Sequence, residues 1–136
     1  MQLPTAAKIL IAGGTLNLAL AFVLGFILSN KRLRTPEADP GYLALAHRVS
    51  LMEGFMLLGL TFAVLLSPLS SGLETVGASL LVASSAFQDG SSIVNWLQGV
   101  RDEFAERSPG LTLATINALL AVAGLTILVV GVIRGL

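Results

Sequence analysis

Four apolar runs, each long enough to cross a lipid bilayer as a helix, leave this chain few ways to fold: residues 5–29, 42–66, 73–100 and 111–133. A bilayer's hydrocarbon core is about 30 Å thick and takes roughly 20 helical residues to span. Inside lipid only a helix or a closed barrel satisfies its own backbone, and no run alternates with period two, so all four are read as helices. The first run is interrupted by Lys8 and Asn17; it is too long and too rich in glycine for a removed signal peptide. The second ends at Ser67-Pro68, a pair that biases the chain out of helix. The third is the least apolar, and the fourth carries no ionisable side chain before Arg134.

Composition removes the competing classes. Hydrophobic residues make up 54% of the 136 positions and charged residues 12%, against about 25% charged in a soluble domain. Eight Lys and Arg balance eight Asp and Glu, so there is no basic field for nucleic acid. Without cysteine there is no disulfide, iron–sulfur cluster, thiolate metal site or cysteine nucleophile. The expected architecture is a single all-α domain over residues 1–136, an integral membrane four-helix antiparallel bundle whose short connections make successive helices neighbours. The loops at 30–41 and 101–110 hold five Lys and Arg, whereas the termini and remaining loop hold Lys8 and Arg134, which puts those two loops in the cytoplasm. The expected location is a bacterial inner membrane.

Polar side chains inside spanning helices are costly and mark functional sites or partner contacts. His47, Arg48, Ser50 and Glu53 cluster in the second run; Ser84, Ser85, Gln88, Asp89, Ser91, Ser92 and Asn95 cluster in the third. On a helical wheel Ser84, Gln88, Ser92 and Asn95 form one stripe, with Ser85 and Asp89 beside it, the expected wall of a polar cavity. His47 and Glu53 lie about 9 Å apart along the helix axis and about 120° apart around it. They border one site only if the second helix is flanked on two sides, by its own bundle and by another subunit. His47, Ser50 and Gly54 align at helical spacing, and Gly54 leaves room for something flat to approach the backbone. Glu53, well inside the apolar run, needs a partner: Arg48, a third-helix amide or a ligand.

Plainer roles stand beside these. A lone histidine near a helix end also serves as an interfacial residue bonded to a loop, Arg48 can snorkel to headgroups, and small hydroxyl residues also glue membrane helices together. The stripes Gly13, Gly14, Asn17, Ala21 and Gly25 in the first run and Ala114, Asn117, Ala121, Gly124 and Gly131 in the fourth point to close helix packing, within the bundle or between subunits. A homo-oligomer is expected, because four helices enclose little volume and a sizeable cofactor fits best between protomers.

The stretch Ala46-His47 followed by Glu53-Gly54 and the apolar run 55–66 resembles the second helix of the styrene oxide isomerase family, where Ala-His is followed at the same spacing by Asn-Gly. It continues into the third helix, where Ala78-Ser79-Leu80-Leu81-Val82 is similar to Gly-Ser-Ile-Ile-Val and Gly90 falls on a family glycine. The resemblance covers about half of the chain. It implies a homotrimeric membrane enzyme with haem b between protomers, His47 as iron ligand and Gly54 beside the cofactor. The implied reaction is isomerisation of an epoxide, with haem as Lewis acid and a dry pocket that keeps water from trapping a cation as diol. Three positions depart from the family: Glu53 and Gln88 stand where it has asparagines, and Ser92 where it has tyrosine.

The expected function is therefore that of a membrane enzyme isomerising or opening a small lipophilic epoxide, with Glu53, Gln88, Asp89 and Ser92 around the substrate and His47 on iron. Its expected partners are that substrate, membrane lipid and further copies of itself, with no nucleic acid. Two alternatives remain: a cofactor-free membrane enzyme or proton-coupled carrier using Glu53 and Asp89, and an accessory subunit docking on a larger membrane protein.

Overall fold

The computed structural model describes residues 2–136 and is all helical, with five helices: α1 (Thr5–Arg34), α2 (Gly41–Leu66), α3 (Ser71–Leu97), α4 (Glu103–Glu106) and α5 (Pro109–Gly135). Among the described residues α1, α2 and α5 are long and apolar enough to cross a membrane. The third run differs from the sequence expectation: α3 has 27 residues, about 40 Å of helix, but its hydroxyl, amide and acidic side chains keep it out of that class.

Packing accounts for α3's polarity. It lies against α1, α2 and α5, while α2 also touches α1 and α5, so α2 and α3 form the short diagonal of the bundle. Ten residues of α3 are buried, seven of them polar or charged: Glu74, Ser84, Ser85, Asp89, Ser91, Ser92 and Asn95. A helix enclosed on three sides buries groups that lipid would reject.

Two glycine pairs bring the helices together. A Cβ on Gly14 would lie 2.9 Å from the Gly54 carbonyl oxygen, and one on Gly54 3.1 Å from that of Gly14, so α1 and α2 cross backbone to backbone. At the α3–α5 crossing, a Cβ on Gly124 would lie 2.8 Å from the Gly77 carbonyl oxygen. The small residues expected to permit close approach thus do so inside one chain. The room left by Gly54 is filled by Leu18 and Gly14 of α1, which corrects the expectation that Gly54 opens toward a cofactor.

Two apolar clusters stack along the bundle, one around Leu10, Leu57, Leu81 and Leu128, the other around Leu24, Leu43 and Ala46 with Trp96 against it. Between them lies a polar layer containing Asn17, Ser50, Glu53, Ser85, Gln88 and Asp89. The third connection holds an unexpected turn of helix, α4, begun by the Asp102 carboxylate accepting the N–H groups of Phe104 (2.9 Å) and Ala105 (3.1 Å). It ends at Arg107, whose left-handed backbone has φ 48°.

Candidate functional site

The polar layer is a set of cross-helix hydrogen bonds centred on α3. Toward α1, the Asn17 amide donates to the Gly13 carbonyl (3.0 Å) and to Ser85 Oγ (3.0 Å). Toward α2, Ser50 Oγ donates to Asp89 Oδ1 at 2.5 Å. Toward α5, Ser84 Oγ donates to Asn117 Oδ1 (2.7 Å), and Asn117 Nδ2 donates to Gln88 Oε1 (2.6 Å). Ser91 donates to the Gly110 carbonyl (2.8 Å), and Asn95 Nδ2 donates to Glu103 Oε2 (2.8 Å). The stripe expected to wall a single cavity is thus divided among three neighbouring helices. Buried polar groups stay inside a protein when they find such partners.

Two buried oxygens lack a hydrogen-bond partner among the described residues: Asn17 Oδ1 and Glu53 Oε2. Arg48, a partner weighed for Glu53, is exposed, and its Nε donates to the Ala44 carbonyl of its own helix. Glu53 belongs to the same polar layer as Asp89. With Gln88 it borders a hollow of about 330 Å³ whose other walls are Val49, Met52 and Met56. Because Gln88 Oε1 already accepts from Asn117, its Nε2 hydrogens are free to serve another acceptor.

The remaining expected site residues lie elsewhere. Asp89 borders a second groove of about 360 Å³ between α1 and α3, with Asn17, Ser85 and Gly90. Ser92, one turn beyond Gln88, is buried and borders neither space. His47 is half-buried on the α1 side of α2. Its Nδ1 lies 2.8 Å from the Ala21 carbonyl oxygen, which can only accept, so Nδ1 carries the proton and donates it. In its neutral form the ring then carries its lone pair on Nε2, the arrangement in which histidine binds metal. The ring lies over Gly25, where a Cβ would come within 2.8 Å of its Cε1. No group of three or more His, Cys, Asp or Glu suited to a metal ion occurs among the described residues.

Asn117 was not among the expected site residues, although an amide within the most apolar run was a visible signal. It anchors Gln88 and thereby aims that side chain into the hollow. Comparison with known proteins gives no matching family description, no similar curated protein and no similar solved structure.

Proposed function

We propose that this chain is a membrane enzyme that isomerises or opens a small lipophilic epoxide. The observation that carries the reading is the open apolar groove of about 330 Å³ between α2 and α3, bordered by Glu53 and Gln88. Its size suits a compact organic molecule, and Val49, Met52 and Met56 offer it an oily wall. Gln88 Nε2 donates to the epoxide oxygen as negative charge gathers there. The Glu53 carboxylate stabilises the carbon that becomes electron-poor as the C–O bond breaks. Lipid around the open groove would keep water away, so that the carbon is quenched by hydrogen migration within the substrate, giving a carbonyl product with no net uptake of protons.

His47 supports the cofactor part of the proposal. Its Nδ1–H is committed to Ala21, and its Nε2 is the atom that would hold haem b. Haem held there would supply Lewis-acid chemistry to the epoxide opening. His47 and Glu53 face different neighbours of α2, so a site using both draws His47 from one copy and Glu53 with Gln88 from another. That requirement, with the family resemblance, underlies the proposal of a homotrimer. Four membrane spans in a bacterial inner membrane belong to the same proposal, with α3 crossing in the shelter of the other three helices.

A second reading, a cofactor-free enzyme or proton-coupled carrier, is favoured by the two carboxylates, Glu53 and Asp89, in one polar layer. Turnover of a panel of small epoxides by detergent-purified protein separates the two. The first reading expects carbonyl product from the wild type and loss of it in both His47→Ala and Glu53→Gln. Carbonyl formation that survives His47→Ala contradicts the cofactor part, and absence of any epoxide conversion by protein carrying its cofactor contradicts the whole.

A further inference from the structure

At the end of the bundle far from the chain termini, two adjoining clefts of about 480 and 260 Å³ share Asp39, Gly41, Tyr42, Val100 and Arg101. Lys31, Pro40, Trp96 and Gly99 complete the smaller one, and Leu45 gives the larger an apolar margin. Trp96 and Tyr42 are the only tryptophan and tyrosine in the chain, and both stand where apolar helices give way to charged loops, the depth at which such side chains meet lipid headgroups. Tyr42 is fixed there by its hydroxyl, which accepts the Glu103 N–H at 3.3 Å. Gly41 and Gly99 have positive φ (49° and 65°), and a Cβ on either would meet nothing within 4 Å, so the cleft is open at both turns.

The charges in this cleft have both signs. Lys31 and Arg101 supply two cations, and Arg101 suits a phosphate through its forked donors. Asp39 supplies a carboxylate: its Oδ1 accepts the Gly41 N–H at 3.0 Å, leaving Oδ2 for another donor. A purely anionic headgroup would be repelled by Asp39, and a quaternary ammonium has no N–H to donate to it. We propose that the cleft binds a phospholipid headgroup bearing both a phosphodiester and a primary ammonium, as in phosphatidylethanolamine. The phosphate pairs with Lys31 and Arg101, the ammonium donates to Asp39 beside the Trp96 ring, and the acyl chains leave along Leu45.

Trp96, the single tryptophan, reports the binding directly. The test titrates the full chain in detergent with phosphatidylethanolamine, phosphatidylcholine and phosphatidylglycerol, and with free phosphorylethanolamine, following Trp96 emission. Phosphatidylethanolamine is expected to give saturable binding tighter than the other lipids, weakened about fivefold in each of Lys31→Gln and Arg101→Gln. Asp39→Asn, which keeps an oxygen to accept from Gly41, is expected to remove the preference over phosphatidylcholine. Indistinguishable curves for the three lipids, or unchanged affinity in both cation variants, would overturn the proposal. Free phosphorylethanolamine binding as tightly as the lipid would overturn the lipid as its source.

Discussion

Replacing Gly25 by alanine tests the seat of His47. The added Cβ would stand 2.8 Å from Cε1 and 3.1 Å from Nδ1 of the imidazole, closer than carbon contacts normally come, so the ring must swing away. The Nδ1–H bond to the Ala21 carbonyl, 2.8 Å long, goes with it. Loss of that bond costs about 1 kcal/mol, overpacking adds about 1–3 kcal/mol, and the better helix propensity of alanine returns about 1 kcal/mol. The net expectation is destabilisation by about 2 kcal/mol. Gly59→Ala is the matched control: it is also a mid-helix glycine, but nothing lies within 4 Å of its added Cβ, so only the propensity gain of up to about 1 kcal/mol remains. Unfolding of both variants in mixed micelles with increasing SDS is expected to move the midpoints in opposite directions. Midpoints that move together, or a Gly25→Ala variant as stable as wild type, would refute the packing of the His47 ring against α1.

Asn95 is fully buried; besides donating to Glu103, its Oδ1 accepts from Ser108 Oγ at 2.7 Å. Asn95→Ala is expected to cost about 2–3 kcal/mol, seen in the same unfolding assay and as faster amide exchange across residues 103–108. The Glu106 carboxylate accepts the N–H groups of Arg101 (2.9 Å) and Asp102 (3.2 Å), which hold its pKa below the ordinary 4.5. A depressed folded pKa stabilises the turn fully above the ordinary value and ceases to do so as pH falls through the lower folded one. Exchange at the Arg101 amide should therefore accelerate on acidification, and Glu106→Gln should flatten that dependence. Glu53→Gln is expected to slow epoxide turnover about 100-fold, with the visible spectrum unchanged.

The three most apolar helices were legible because lipid imposes length and hydropathy on every residue that crosses it. The polarity of α3 was legible as a sign of an interior position. Its consequences were not: Ser84, Ser85, Gln88 and Asp89 read on a wheel as one surface, yet α5, α1 and α2 each claim part of them. That division depends on which helices touch, a property of tertiary packing that no local period encodes. Gly54 shows the same gap, since a glycine facing a ligand and a glycine facing another backbone look alike in sequence; Leu18 and Gly14 decide the matter here. The short α4 was within reach, because Asp102 is a strong helix-starting residue, but four residues carry too little periodicity to stand out from a loop.

The most direct measurement is the visible absorption spectrum of protein purified in detergent from haem-replete cells, beside that of His47→Ala. An intense Soret band in the wild type, absent from a His47→Ala variant whose helical circular dichroism is unaltered, is the expected outcome. A colourless wild type with full helical content, or a band that persists without His47, would contradict the assignment of His47 as the ligand on which the proposed chemistry depends.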